Sequence, residues 1–306
     1  MKPLLSPELR RELQALIAKP VAWNAPLAAR TSLKIGGPAE ALATISDGEE
    51  MTRALAFARD NNLPWRILGK GSNVLISDDG LAGITFVLGE SFRRLEKSGP
   101  AEITAGAASA LPAVSHFCQQ NGLSGLEFAA GIPGSVGGAV LMNAGAFGGQ
   151  IADCLRAIDL YAADGPRTLH ADELRFAYRA WLDAAKWRGQ AIIVAARFAL
   201  RPDEPAAIAA RMENYQRQRQ ERQPHGVMSA GSFFKNPPGD SAGRLIDVCG
   251  LKGLRMGNAM VSPEHANFLV NTGAASAADM RELARRVRET VFNRHGVRLE
   301  EEVESW

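Results

Sequence analysis

Gly131-Ile132-Pro133-Gly134-Ser135-Val136-Gly137-Gly138-Ala139 decides how this 306-residue chain is read. Four glycines in eight positions suit neither a helix nor a strand, but they leave a backbone that a flat ligand can approach closely. Met142-Asn143-Ala144-Gly145-Ala146-Phe147-Gly148-Gly149 prolongs the same character. Neither stretch is G-x-G-x-x-G or a Walker loop, so a dinucleotide here implies a fold other than Rossmann or P-loop. Upstream, Leu68-Gly69-Lys70-Gly71-Ser72-Asn73 offers a second concave nest of amide N–H groups, equally readable as a tight turn. Arg30-Thr31-Ser32-Leu33-Lys34-Ile35-Gly36-Gly37 adds a third strip of hydroxyls, cations and glycine.

A different chemistry sits downstream in Ser229-Ala230-Gly231-Ser232-Phe233-Phe234-Lys235-Asn236-Pro237. It places a hydroxyl, a cation and an amide beside aromatic bulk, a mixture suited to holding an anion and handing it a proton. The two kinds of segment predict a cofactor site in the first half and a substrate site in the second.

Composition narrows the class. Hydrophobic residues make up 46% and charged residues 22%, as in an ordinary globular protein, and the formal charge of +2 gives no general preference for nucleic acid or membrane. Cys118, Cys154 and Cys249 lack any Cys-x-x-Cys spacing and read as reduced packing residues of a cytoplasmic protein. The N-terminus lacks a signal-peptide core, and no apolar run approaches the ~20 residues that span a bilayer. No metal-ligand cluster is expected.

Local signals give an α+β pattern. Ser6-Pro7-Glu8 starts a helix with Leu9, Leu13 and Leu16 on one face, closed by Pro20. Asp47 and Glu50 suggest a capping box. Strands are expected over Trp65 to Leu68, Ile84 to Leu88, Glu102 to Ala105, Leu155 to Ala162, Arg167 to His170 and Ala191 to Leu200. Pro202-Asp203-Glu204-Pro205 breaks the chain and opens a polar helix to about Gln223. Ser241 to Val248 is a short helix ended by Gly250, Ala266 to Val270 a strand, and Ser276 with Asp279 caps a helix bearing Met280, Leu283, Val287 and Val291. Three domains follow: an N-terminal helix over 1–20, a cofactor domain over 21–201 with lobes at about 21–95 and 96–201, and a substrate domain over 202–306. A last strand over 297–303 would turn Val297, Leu299, Glu301 and Val303 to one face and Arg298, Glu300 and Glu302 to the other.

In order along the chain, RTSLKIGG, GKGSN, GIPGSVGGAVLMNAGAFG, the F-x-Y-R of Phe176 to Arg179, SAGSFFKNP, AGRLIDVCGLKG, HANFLVN and LEEEV closely resemble the UDP-N-acetylenolpyruvoylglucosamine reductase family of bacterial cell-wall synthesis. The resemblance implies a vanillyl-alcohol-oxidase-type FAD-binding domain in two α+β lobes and a C-terminal α+β substrate domain. It implies non-covalent FAD held by Arg30, Thr31, Ile35, Gly36, Gly69, Gly71, Ser72, Asn73, Gly131, Pro133, Gly134, Ser135, Gly137, Gly138 and Asn143. NADPH would be the reductant and the enolpyruvyl ether of UDP-N-acetylglucosamine the substrate. Flavin N5 would deliver hydride to C3, with Ser232 giving a proton to C2, Arg179 facing the carboxylate and Glu302 completing that arrangement. Tyr178, Lys235 and Asn236 would contact substrate. The protein would act as a monomer, without nucleic acid or membrane insertion.

Each assignment has a plainer alternative. Arg179 alone reads as a surface arginine, Glu300 to Glu302 as a solvated charge run, and Arg211, Arg217, Arg219 and Arg222 as a solvated helix face rather than counter-charge for a diphosphate. His265 reads as structural. Departures from the family pattern are Trp181 in place of a small polar residue, Phe147 in place of tyrosine, and the ending Glu304-Ser305-Trp306. The short stretch after Arg179 matches the compact subclass without a tyrosine-bearing loop. The rival readings are an FAD-linked oxidase of the same fold and a non-catalytic nucleotide-binding protein.

Overall fold

A computed structural model describes residues 2–306. The first lobe is a four-stranded sheet in the spatial order Ala22–Pro26, Pro38–Ile45, Leu81–Leu88, Trp65–Ile67. Its first pair is antiparallel and the rest parallel. Pro38–Ile45, which carries no alternation to betray it, is buried at nearly every position, as strands inside parallel sheets are. Glu40 in its middle is completely buried and accepts from the Leu4, Leu5 and Gly83 N–H groups at 2.7–2.8 Å, tying the N-terminus to the sheet.

Helix Pro7–Leu16 starts at Ser6 as expected, its hydroxyl accepting from Leu9 N–H. Helix Gly48–Asp60 is capped by Asp47, but Glu50 does not complete the box. Its buried carboxylate accepts from Ser46 and Ala18 N–H instead, joining the two helices. Leu13 and Ile17 therefore share one core with Met51, Leu55, Phe86 and, from the second lobe, Ile192 and Val194.

The second lobe is an antiparallel five-stranded sheet in the order Gly165–His170, Leu155–Ala162, Ala191–Ala199, Glu102–Gly106, Leu95–Gly99. It packs on helices Leu111–Gln120 and Val136–Leu141 through a core containing Val114, Val140, Ile158 and Phe198. Helix Pro205–Arg222, expected to open the substrate domain, lies on this lobe: Ile208 and Met212 bury against Ala130.

The C-terminal sheet runs Met228–Ser232, Phe268–Asn271, Ala259–Val261, Arg255–Met256, all antiparallel. Helix Ala277–His295 covers it with Met280, Leu283, Val287 and Val291, and both bonds of the Ser276/Asp279 capping box form. Asp78 of the first lobe accepts from Ala277 and Ala278 N–H at 2.7 and 3.0 Å, clamping this helix to the cofactor half.

The strand expected over 297–303 is not one strand. Glu301 forms a single bridge to Phe234, and regular pairing begins only at Glu304–Ser305, parallel to Val74–Leu75. The segment is extended because it crosses from one domain to the other, changing partners midway. The alternation still holds: Leu299 and Val303 are buried, Glu301 meets Arg288 at 3.2 Å, and Glu302 points elsewhere. Among the described residues, no helix is long and apolar enough to cross a membrane, and the three cysteines are free and buried.

Candidate active site

The two glycine loops face each other. A Cβ built on Gly69 would lie 2.5 Å from Ser135 Oγ, and one on Gly134 would lie 3.6 Å from Ser72 Oγ. Gly71 has φ 63°, where a side chain would strike the Arg30 carbonyl at 2.1 Å, so this loop is pressed onto the Arg30 to Gly37 strip. Gly71 O accepts from Ser32 N–H at 2.9 Å, locking the contact.

Beside these loops, between the two lobes, lies a cavity of about 560 Å³ lined by Gly69, Ser135, Gly137 and Gly138 together with Leu68, Ile192 and Trp187. Its volume falls within the ~300–1,000 Å³ usual for cofactor sites. Arg30, Arg66, Lys70, Arg93 and Arg188 stand at its walls against one acid, Glu304, which Arg188 pairs at 3.2 Å. Bare backbone, apolar walls and surplus positive charge fit a flat dinucleotide with a pyrophosphate.

Several residues expected on the cofactor do other work. Thr31 is buried, its single hydroxyl proton within reach of both Ala28 O and Ile35 O and its oxygen accepting from Ile35 N–H, so it shapes the strip from within. Ile35 is buried in the C-terminal core. Asn143 is fully buried, and its amide donates to Gln150 Oε1 and Ala177 O and accepts from Ala152 N–H, all at 2.9–3.0 Å. It cannot also reach a ligand; it joins two hairpins. Asn73 Nδ2 donates to Glu302 O at 2.9 Å and its carbonyl accepts from Glu304 N–H, so it holds the C-terminal tail.

The hairpins joined by Asn143 present Arg179. One is Gly145–Ala146 with Gly149–Gln150, the other Phe176–Ala177 with Ala180–Trp181, and Arg179 sits in the second turn at φ 55°. Its Nη2 donates to Gly145 O at 2.6 Å. Its Nε lies 3.0 Å from Glu302 Oε1, both side chains less than one-fifth exposed. The N–H is not aimed along that line, which leaves Nε a buried donor without a hydrogen-bond partner. Burial raises the Glu302 carboxyl above its ordinary pKa, while the Arg179 charge pulls it back down. Arg179 is thus no surface arginine, and Glu302 no part of a solvated run.

Ser232 closes the strand Met228–Ser232 at a register shift opposite Phe268. Glu302 N–H donates to Phe233 O at 2.9 Å, setting Glu302 beside the residue after Ser232. Asn267, which sequence reasoning missed, fixes this motif: its side chain accepts from Phe234 N–H and donates to Phe234 O, and its carbonyl accepts from Phe233 N–H. Phe233 and Phe234 fill the core beneath. Lys235 Nζ reaches Glu300 at 3.6 Å, Asn236 Oδ1 accepts from Ala242 N–H, and Tyr178 is half exposed with its ring 5.0 Å from the Arg179 guanidinium carbon. His265 is structural: Nδ1 accepts from Asn267 N–H, and burial lowers its pKa.

The helix arginines divide. Arg211 is held by Glu127 and Asp203, and Arg217 by Asn214. Arg219 lies against Gly131, its Cδ 3.1 Å from where a Cβ would be, and burial alone lowers its pKa.

Comparisons with known proteins identify the family. Residues 39–168 match the FAD binding domain, and residues 223–306 match the UDP-N-acetylenolpyruvoylglucosamine reductase C-terminal domain. UDP-N-acetylenolpyruvoylglucosamine reductase 2 of Symbiobacterium thermophilum is 43% identical over 99% of this chain and 97% of its own. The reductase of Moorella thermoacetica is also 43% identical, over 97% of each chain. The crystal structure of UDP-N-acetylenolpyruvylglucosamine reductase from Thermus caldophilus superposes with TM-score 0.80 at 40% identity, covering 94% of this chain and 98% of that one. The expected order, an FAD-binding domain followed by the reductase's own C-terminal domain, holds. The chain belongs to the UDP-N-acetylenolpyruvoylglucosamine reductase family of FAD-dependent oxidoreductases.

Proposed function

We propose that this chain reduces the enolpyruvyl ether of UDP-N-acetylglucosamine to UDP-N-acetylmuramate, with NADPH as reductant, through three of its own side chains. The observation that carries this reading is the Arg179–Glu302 contact, assembled from distant parts of the chain beside the Ser232 motif.

Bound FAD supplies the hydride, taken from NADPH, that adds to C3 of the enol ether. Negative charge then grows on C2 and on the carboxylate conjugated with it. Arg179 meets that charge with a guanidinium already held by Gly145 O and Glu302, so the electrostatic gain needs little reorganisation. Ser232 gives its hydroxyl proton to C2; a hydroxyl is a weak acid, but a carbanionic carbon is a strong base. Glu302, with its carboxyl shifted upward by burial, hydrogen-bonds the substrate carboxylate when protonated and orients Arg179 when ionised. Lys235, Asn236 and Tyr178 contact the nucleotide sugar, and Arg219 supplies counter-charge for its diphosphate.

Gly69, Gly71, Ser72, Gly131, Pro133, Gly134, Ser135, Gly137 and Gly138 form the backbone cradle for FAD, with Arg30 and Gly36 behind it. Helix Pro205–Arg222 belongs with the cofactor half by its packing, which moves our division between domains to about residue 223. All three reactive groups come from one chain, so the reading requires no second copy, and a reaction drawing on NADPH and a nucleotide sugar belongs in the cytoplasm.

Purified protein tests the proposal. It is expected to be yellow and to oxidise NADPH at a substantial rate only when the enolpyruvyl sugar nucleotide is present. Rapid NADPH-driven oxygen uptake without that substrate would favour the oxidase reading instead, and colourless protein that takes up no FAD would favour the binding protein.

A further inference from the structure

Within seven residues the C-terminal tail touches both halves of the molecule. Lys235 N–H donates to Glu300 O at 2.8 Å and Glu302 N–H to Phe233 O at 2.9 Å, laying this stretch along the Ser232 motif. The next residues change partner to the first glycine loop. Asn73 Nδ2 donates to Glu302 O, Glu304 N–H to Asn73 O, Trp306 N–H to Leu75 O, and Ser77 N–H to Trp306 O, at 2.8–3.1 Å. Glu302 is therefore held from both sides, and its position depends on where the tail beyond it is seated.

That tail reaches the interlobe cavity. Glu304, Ser305 and Trp306 line it, as do Arg66 and Arg188. The Arg66 guanidinium carbon lies 5.7 Å from the Trp306 ring centroid, and the half-buried indole also packs on the cluster containing Leu68 and Ile76. An indole beside a cation, on the wall of a cavity lined also by glycines, aliphatic residues and the indoles of Trp65, Trp181 and Trp187, suits a flat ring next to a pyrophosphate. As a mere plug for the Leu68 cluster it would matter to folding and not to ligand retention.

We propose that Trp306, together with Arg66, contacts the bound cofactor, and that this contact seats the tail so that Glu302 meets Arg179. Trp306 is then a cofactor-binding residue and, through the tail, a positioning residue for the substrate end. The inference rests on the FAD reading above.

Titration of apoprotein with FAD, followed by flavin fluorescence, tests it in wild type, Trp306→Phe, Trp306→Ala and Arg66→Met. Trp306→Ala is expected to raise the FAD dissociation constant roughly tenfold or more, Arg66→Met about threefold, and Trp306→Phe less than threefold. With FAD saturating, Trp306→Ala is expected to slow flavin reoxidation by the enolpyruvyl substrate by about threefold or more. An unchanged dissociation constant in Trp306→Ala, with the apoprotein melting as wild type does, overturns the contact. Altered FAD affinity with unchanged reoxidation overturns the positioning role. If Trp306→Ala does not fold, exposed Arg66 carries the test, and wild-type FAD affinity in Arg66→Met overturns the proposal. Failure of wild-type apoprotein to take up FAD would refute the cofactor reading itself, a different result.

Discussion

Replacing Asn143 with alanine removes three side-chain hydrogen bonds at a fully buried position, two donated and one accepted. At about 1 kcal/mol net each, their loss costs about 3 kcal/mol. The backbone adds a second charge against alanine. Asn143 has φ 43°, a left-handed conformation that asparagine tolerates and alanine does not, which costs about 1 kcal/mol more. Asn143→Ala should therefore destabilise the protein by about 4 kcal/mol, whereas Asn143→Gly, which is at ease at that φ, should cost about 3 kcal/mol. Urea unfolding monitored by tryptophan emission is a suitable assay, because buried Trp181 sits in one of the two hairpins Asn143 joins. Both variants should also lower kcat/KM for the enolpyruvyl substrate, since those hairpins carry Arg179 and its Gly145 acceptor. A cost below about 1 kcal/mol in both variants, or glycine more damaging than alanine, would refute this account of Asn143.

Three further outcomes follow from the same geometry. Gly134→Ala should keep FAD, because a methyl there meets Ser72 Oγ and Leu111 Cδ1 at ordinary contact distances of 3.6 and 3.8 Å; Gly134→Val should lose it, and a stoichiometric flavin spectrum in the valine variant would reject the loop's role. Glu302 has its carboxyl raised in the folded state, so the ionised form is disfavoured there: its contribution to stability grows as pH falls from above that raised value towards the ordinary carboxylate pKa of 4.5. Glu302→Gln should flatten the wild-type dependence of stability on pH in that window, and identical profiles would contradict the shift. Asp78→Ala should free the two N–H groups at the start of helix Ala277–His295 and destabilise the protein by about 1–2 kcal/mol, readable as faster hydrogen exchange at Ala277 and Ala278; unchanged exchange would sink the capping role.

What the sequence made legible was mostly local. The helix starts at Ser6, Asp47, Ser241 and Ser276 all form as expected, because a cap is settled within four residues. The strand Pro38–Ile45 escaped notice because burial on both faces removes the alternation that marks a strand, and Glu40 disguises it further. The alternation over 297–303 was real, yet it came from a tail threaded between two domains rather than from a sheet. The roles of Asn143, Asn267 and Asn73 were illegible or misassigned for one shared reason. An asparagine amide serves whichever backbone groups the tertiary fold brings near it, and nothing in neighbouring residues says which. Arg179 and Glu302 were legible only through the family resemblance; their approach to 3.0 Å depends on hairpins and tail that no local pattern encodes. Helix Pro205–Arg222 was found, but its side of the molecule was not, since only Ile208 and Met212 of its eighteen residues are buried.

Anaerobic stopped-flow spectroscopy on Ser232→Ala, with both half-reactions followed at the flavin absorbance band, tests the account most directly. Reduction by NADPH should stay within about threefold of wild type, while reoxidation by the enolpyruvyl sugar nucleotide should slow by about 10²-fold or more, the usual cost of removing a general acid. Equal slowing of the two half-reactions, or reoxidation at the wild-type rate, would contradict it.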